Sequence, residues 1–251
     1  MMKKTDLKLL TVICFLGLVT VVLPLNRVAA EELTEYDPAE VTNLHIKVGR
    51  ADIEFVDGSD KIVLSSDLAV KEKGEKLEIT SPQTDVYLNW SLLSRWRDDE
   101  QKYRILIGNE KDYSRLRFHL GGVNITGSIR AEEFDLTATG VDVDAQLFAR
   151  KISMRGSGIT TRGYFNTEQL YIRGLGVNVD LVLENSQQVN ISGTGLNGLL
   201  RYRDIWTGDR DLSVSGLGGN IFVEIGEDLI LTGNLNTSSR GVVGLEYDYW
   251  R

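Results

Sequence analysis

The sequence predicts an all-β protein, specifically a right-handed single-stranded β-helix (β-solenoid) with coils of about 18 residues. Between Leu116 and Leu235 one pattern recurs, in which alternating apolar and polar residues lead to a small residue, any residue, a glycine and an apolar residue. The pattern starts at positions 116, 134, 152, 170, 189, 212 and 229, so its starts are evenly spaced except for one longer interval before 212. A nearly constant short period with strand-like content is typical of stacked coils.

Two columns of inward-facing positions support this fold class. Alternation at every second residue is typical of a strand with one buried face, and it recurs in the first strand of each coil. A second apolar column lies at a fixed offset after each start, at Ile129, Leu147, Phe165, Leu183 and Tyr202. Phe165 is therefore predicted to be buried between Leu147 and Leu183. Neighbouring coils should pair in parallel about 4.8 Å apart, with the right-handed crossover usual for parallel strands.

Glycines mark the corner between the two strands of a coil. They recur as Gly-x-Gly at 156–158, 174–176, 193–195 and 216–218. Glycine permits a positive φ and lets one backbone pass close to the next, and Gly174 and Gly176 are candidates for the positive φ. Proline cannot donate to a strand ladder, and none occurs after Pro82.

Residues 1–30 are predicted to be a signal peptide. Three lysines precede the apolar run Leu9–Leu23, and the small residues of Val28–Ala30 offer a cleavage site. The alternative is an uncleaved anchor, since the apolar run approaches the length of a membrane span. The only cysteine, Cys14, lies in this segment, so cleavage would leave a chain without disulfides or thiol chemistry.

The remaining chain divides into two parts. Residues 31–115 are predicted to form irregular β coils, with a turn at Asp57–Asp60 and a charged excursion near 92–102. Residues 116–251 are predicted to form regular coils, with an insertion at 201–211. The last strand, which carries Tyr247, Tyr249 and Trp250, is predicted to cap the open end of the solenoid.

Charge argues against nucleic acid as a partner. The chain has 28 basic and 36 acidic residues. Residues 1–30 hold four of the basic and one of the acidic residues, so 24 and 35 remain after cleavage, for a net charge of −11. Such a balance disfavours binding to nucleic acid or anionic lipid.

The chain resembles the DUF4097/DUF2807 group of bacterial envelope proteins, which carry the label of adhesins or β-strand repeat proteins. The likeness lies in the opening EVTNLHIKVGRADIEFVDGSDKIVLSS from Glu40, and in the later repeats with their Gly-x-Gly corners. It covers most of residues 40–245. The resemblance implies a right-handed single-stranded β-helix at the cell envelope, and it brings no catalytic residues to carry over.

Two patterns that suggest a cofactor or metal have structural interpretations. Gly193, Gly195 and Gly198 fit the dinucleotide fingerprint G-x-G-x-x-G, but that fingerprint needs a helix to begin there, and strands are predicted instead. His45 and His119 occupy outward positions far apart in sequence, which leaves histidine-based metal or nucleophilic chemistry little to use. We expect no cofactor, no metal site and no catalytic residue.

Four outward residues are candidates for a surface or ligand site. Asp142 and Asp144 lie on one strand face, where they could serve a calcium ion or polysaccharide cleavage, although calcium usually needs six to eight oxygens from a folded loop. Arg155 and Arg173 occupy equivalent positions on adjacent coils and could bind an anionic glycan. Solvated outer-face charges are the alternative for both pairs.

The predicted function is therefore an exported, non-catalytic β-solenoid that acts as an envelope scaffold or an adhesin-like interaction module. Its expected partners are an envelope or surface protein or a glycan, with self-association as a further expectation and no integral membrane domain after signal cleavage. The expected location is the periplasm, the cell surface or the medium. The alternative is a polysaccharide-binding or polysaccharide-cleaving β-helix, a lyase or hydrolase, that uses the outward acids and the arginine pair.

Overall fold

Strands make up all the regular secondary structure in the computed structural model, which describes residues 32–38, 40–82, 102–226, 230–232 and 234–250. The predicted signal peptide and residues 92–101 of the predicted excursion lie outside the described residues. The strands are β1 (Leu33–Tyr36), β2 (Asn43–Val56), β3 (Ile62–Ser65), β4 (Ala69–Lys73), β5 (Lys76–Thr80), β6 (Lys102–Gly108), β7 (Tyr113–Asn166), β8 (Gln169–Glu184), β9 (Gln188–Tyr202), β10 (Trp206–Thr207), β11 (Arg210–Gly216), β12 (Gly219–Gly226), β13 (Ile230–Thr232), β14 (Leu235–Gly241) and β15 (Gly244–Trp250).

Thirteen of these strands belong to one large mixed sheet, whose main path runs β1-β3-β6-β2-β7-β8-β9-β11-β14. Strands β12 and β15 extend it beside β9, β4 and β5 attach beside β2, and β10 pairs with β13 separately. The all-β prediction is confirmed.

The strands from β7 onward pair in parallel in the predicted register. Ile152 of β7 lies opposite Leu170 of β8, which lies opposite Val189 of β9, which in turn lies opposite Leu212 of β11. Each of these four residues is the start of its repeat in the sequence, so the strands pair repeat against repeat. Strand β7 is 54 residues long and spans more than one repeat. Separate parts of it lie side by side, since the ring centroids of Phe118 and Phe134 are 5.4 Å apart.

The inward columns form the hydrophobic core. Phe165 lies opposite Leu183, and the side chains of Leu147, Phe165 and Leu183 are all fully buried. The predicted burial of Phe165 is confirmed. Parallel pairing keeps each inward slot above its counterpart, so that the apolar residues of successive strands pack against one another.

The N-terminal part differs because it includes antiparallel pairs. Strand β1 pairs antiparallel with β3, β3 with β6, and β4 with β5. The chain reverses at the predicted turn, where Gly58 has φ +71°, and again at Gly74, with φ +56°. Strand β4 was not predicted, because all five of its residues are exposed and its sequence therefore lacks an apolar alternation.

The corner glycines serve close packing rather than an unusual φ. Gly174 and Gly176 do not have positive φ, whereas Gly163, near the end of β7, has φ +123°. A Cβ on Gly174 would lie 3.0 Å from the carbonyl oxygen of Gly156, while a Cβ on Gly176 would meet nothing within 4 Å. The expected positive φ at these two glycines is therefore wrong, because the first glycine is required by the approach of the neighbouring backbone.

Candidate functional site

The two predicted acids lie on one exposed strand face, where a basic residue lies between them. Arg162 Nη2 is 3.3 Å from Asp142 Oδ1, and Arg162 Nε is 3.7 Å from Asp144 Oδ2. The three side chains are 50 to 65% exposed, so solvent screens their attraction. The acids therefore form a solvated ion-pair cluster with Arg162.

The predicted arginine pair is adjacent in space. Arg155 of β7 lies directly opposite Arg173 of β8, and Arg173 lies opposite Ser192 of β9. Both arginines are exposed, and neither forms an ion pair with a described residue. Like charges at opposite positions repel by up to about 1 kcal/mol, so this arginine ladder (Arg155 and Arg173) is a small cationic patch without a stabilising role of its own.

Other charges on the outer face pair with one another between neighbouring strands. Arg201 binds Asp180 at 2.5 Å and Glu224 at 3.0 Å. Asp180 lies opposite Arg162, but its ion pair is with Arg201. Cross-strand pairing of opposite charges stabilises a sheet modestly, and it leaves much of this face electrically balanced.

The two histidines are neighbours, although they are distant in sequence. Strand β2 pairs in parallel with β7, which places His45 opposite Arg117 and diagonal to His119. Their ring centroids are 5.1 Å apart in an edge-to-face contact. His45 is 9% exposed rather than outward and solvated as expected, and its Nε2 has no hydrogen-bond partner among the described residues.

Burial keeps His45 uncharged near neutral pH. It lowers the pKa of His45 to about 4, helped by Lys47 and His119, and it lowers the pKa of His119 as well. Across the described residues, no group of three or more His, Cys, Asp or Glu side chains is placed to hold a metal ion. The pair is best understood as a packing contact between β2 and β7.

The three glycines of the dinucleotide-like motif lie inside strand β9. A Cβ on Gly193 would overlap the carbonyl oxygen of Gly174, and one on Gly198 would overlap that of Val179. Both carbonyls belong to β8, the neighbouring strand. The motif therefore meets a packing requirement between strands, and the helix that a pyrophosphate site needs does not begin there.

A depression in the described surface lies beside the junction of β7 with β8, a side that the sequence did not single out. We call this depression the third-side groove. It has a volume of about 630 Å³, and its lining includes Arg130, Phe148, Arg150, Tyr164, Asn166 and Glu184. A second depression of about 570 Å³ continues it, sharing Ala149, Arg150 and Asn166.

One inward column beside this groove carries small residues. Ala149, Thr167 and Ser186 occupy the same slot of three successive repeats, and all three are buried. The neighbouring inward column carries the larger residues Leu147, Phe165 and Leu183. Stacked small residues at a fixed slot were the sequence signal that could have located the groove.

Aromatic rings and paired charges line the groove together. Phe148 and Tyr164 are half-buried, with ring centroids 5.6 Å apart and a tilt of 53°. The guanidinium of Arg130 lies 5.1 Å from the Phe148 ring centroid, within the range of a cation–π contact. Beyond the rings, Arg150 pairs with Glu132 at 3.3 Å, which continues the groove as a polar floor.

The described part of the chain contains no helix that is long and apolar enough to cross a bilayer. The chain matches no protein-family model and no curated protein.

One of three similar solved structures shares the general fold of this chain. A "putative adhesin" from Bacteroides fragilis aligns over 86% of this chain and 96% of its own, with 15% identity and a TM-score of 0.54. A "putative cell adhesion protein" from Clostridium sporogenes covers 87% and 98% at 10% identity, with a TM-score of 0.31. A "putative lipid binding protein" from Parabacteroides distasonis covers 88% and 96% at 13% identity, with a TM-score of 0.34. At these identities the likeness concerns the fold alone, and it is carried by the Bacteroides fragilis protein.

Proposed function

We propose that this protein is an exported, non-catalytic β-solenoid that acts as a cell-envelope scaffold or an adhesin-like interaction module. The observation that carries the proposal is the ion-pair cluster of Asp142, Asp144 and Arg162. The two acids that could have acted as catalytic carboxylates are solvated and paired with a base on a strand face. Such a face suits contact with another surface better than chemistry on a bound substrate.

The solenoid part of the proposal rests on register. Partners in β7, β8 and β9 lie one sequence repeat apart, which corresponds to one coil per repeat in a single-stranded right-handed β-helix. The approach of Gly174 to the Gly156 carbonyl oxygen and of Gly193 to the Gly174 carbonyl oxygen recurs once per repeat. A stack of this kind presents long rows of side chains to a partner.

The proposed location and role draw on two further supports. The fold is shared with a Bacteroides fragilis protein named as a "putative adhesin", and residues 1–30 have the pattern of a secretory signal. An acidic exported chain is suited to contact with an envelope protein or a glycan rather than with nucleic acid.

The alternative function, polysaccharide cleavage, requires a different environment for the acids. General acid–base catalysis uses a group whose pKa is moved towards the working pH by burial or by a close like charge. Asp142 and Asp144 instead share the cation of Arg162 and face solvent. We therefore propose that these two acids take no part in cleavage.

One experiment separates the two functions. The purified full chain is sedimented with insoluble cell envelopes, and both the retained protein and the reducing or unsaturated sugars released are measured. We expect retention with no sugar release, and unchanged retention for the double variant Asp142→Asn/Asp144→Asn. Sugar release by the wild type that the double variant abolishes would establish the enzymatic alternative instead.

A further inference from the structure

We propose that the third-side groove is a carbohydrate-binding site for a neutral oligosaccharide chain, with Phe148 and Tyr164 as its stacking platform. The inference rests on the proposed surface-interaction function and specifies the ligand class and the residues that bind it. It uses a different face from the outward acids and the arginine ladder.

The wall of the groove has the chemistry that a sugar ring requires. A sugar ring presents apolar C–H faces edged by hydroxyl groups, each of which donates and accepts hydrogen bonds. Sites for such ligands combine aromatic surface with a few placed polar groups in a concave setting. Phe148 and Tyr164 provide adjoining half-buried rings within a depression of about 630 Å³.

Polar groups beside the two rings are available for a ligand. The Tyr164 hydroxyl makes no hydrogen bond to a described residue, and Arg130 forms no ion pair with one. The guanidinium of Arg130 already lies against the Phe148 ring, where its planar fork of donors can reach two neighbouring hydroxyls of a stacked sugar. Asn166 donates to Glu184 at 3.0 Å, which fixes the carboxylate as an acceptor at the far side of the rings.

The charges of the groove favour a neutral ligand over an anionic one. The groove carries both signs, and Arg150 is engaged by Glu132 and Glu133 at 3.3 and 3.7 Å. An anionic chain would meet Glu132, Glu184 and the acidic protein as a whole, with Arg130 as the one lining cation among the described residues that has no ion pair. A neutral chain meets no such repulsion.

The backbone of the groove wall favours a carbohydrate over an extended peptide. A peptide is commonly recognised by adding a strand to an open sheet edge. The groove wall is instead crossed by strands whose edges are already paired, since β7 pairs with β8 as far as Asn166 opposite Glu184. Recognition here must rely on side chains, which favours a carbohydrate over an extended peptide.

The test is calorimetric titration of the purified full chain with four hexasaccharides. Cellohexaose, laminarihexaose and mannohexaose are neutral, and hexagalacturonate is anionic. We expect at least one neutral hexasaccharide to bind, and Tyr164→Ala or Phe148→Ala to weaken it about tenfold or more by removing a stacking ring. Tyr164→Phe should keep most of the affinity, since it retains the ring and loses only the hydroxyl.

Tyr171→Ala is the matched control, because Tyr171 is also a half-buried tyrosine but lies on β8, outside the groove. Its affinity should equal that of the wild type, and thermal melting should show that each variant used is folded. The inference is overturned if no neutral hexasaccharide binds, or if the groove variants bind as well as Tyr171→Ala. Preferential binding of hexagalacturonate that is lost in Arg155→Gln/Arg173→Gln would overturn it in favour of the arginine ladder.

Envelope sedimentation of the same variants separates this inference from the function on which it rests. Wild-type retention on envelopes without hexasaccharide binding would reject the groove and keep the surface role. Loss of both would reject both.

Discussion

Alanine at the two glycines of one corner should have opposite effects on stability. Gly193 and Gly195 stand two positions apart in β9, and neither has a positive φ, so alanine suits both backbones. A Cβ on Gly193 would overlap the Gly174 carbonyl oxygen and lie 2.8 Å from Leu196 Cδ2. A Cβ on Gly195 would meet nothing within 4 Å. The pair therefore isolates the cost of separating two neighbouring strands.

The expected changes in the free energy of unfolding follow from which neighbouring atoms an added Cβ must displace. The Gly174 carbonyl belongs to the backbone and cannot rotate away, so β8 and β9 must separate locally in the Gly193→Ala variant. Overpacking of this kind costs about 1–3 kcal/mol, and a lost ladder hydrogen bond adds about 1 kcal/mol. Gly195→Ala should instead stabilise by about 0.4–1 kcal/mol, because alanine restricts the unfolded chain.

The assay is urea unfolding of both variants and the wild type, followed by far-ultraviolet circular dichroism. We expect the two variants to differ by about 2–5 kcal/mol in the free energy of unfolding, with the wild type between them. Values for Gly193→Ala and Gly195→Ala within about 0.5 kcal/mol of each other would refute the proposed close approach of the strands.

Three further substitutions test the core, a buried ion pair and the histidine contact. Phe165→Ala should lower the free energy of unfolding by about 3–5 kcal/mol through lost burial and a cavity. Phe222→Ala removes a side chain of a residue that is 44% exposed and should cost under about 1 kcal/mol. Equal losses in urea unfolding would contradict the assignment of Phe165 to the inward column. Arg210→Met should cost about 3–5 kcal/mol, because it leaves the buried carboxylate of Asp204 unpaired, and adding Asp204→Leu should recover most of that loss in the same assay. Folding lowers the pKa of His45 from 6.5 to about 4, so the unfolded chain binds a proton at this residue at a higher pH than the folded chain does. The free energy of unfolding should therefore fall by about 2 kcal/mol between pH 7.5 and 5. An equal fall in the His45→Gln variant would show that His45 is not the cause.

The regular part of the fold was predictable because one physical rule repeats through it. Alternating residues have to bury one face, and a fixed repeat length places like residues opposite each other in parallel strands. The burial of Phe165 and the pairing of Arg155 with Arg173 both follow from that rule. The antiparallel pair of β4 and β5 did not follow, since β4 is wholly exposed and carries no pattern to detect.

The groove escaped sequence reasoning because its residues break the repeat. Phe148 and Tyr164 occupy different slots of successive repeats, so their contact depends on a diagonal that the repeat does not specify. The contact of His45 with His119 was missed for a related reason, because it needs β2 to pair with β7 across a long stretch of intervening chain. The corner glycines were identified correctly as special positions, but it is the first glycine of each corner that admits a neighbouring carbonyl, and neither Gly174 nor Gly176 adopts a positive φ.

The proposal that the protein works as an exported surface module is tested most directly by locating the full chain in cells. A C-terminal epitope tag is followed through fractionation into cytosol, envelope and medium, and the N-terminus of the recovered protein is sequenced. We expect the tag in the envelope or the medium, with the recovered chain beginning at Glu31. Recovery in the cytosol, with residues 1–30 still attached, would contradict the proposed role.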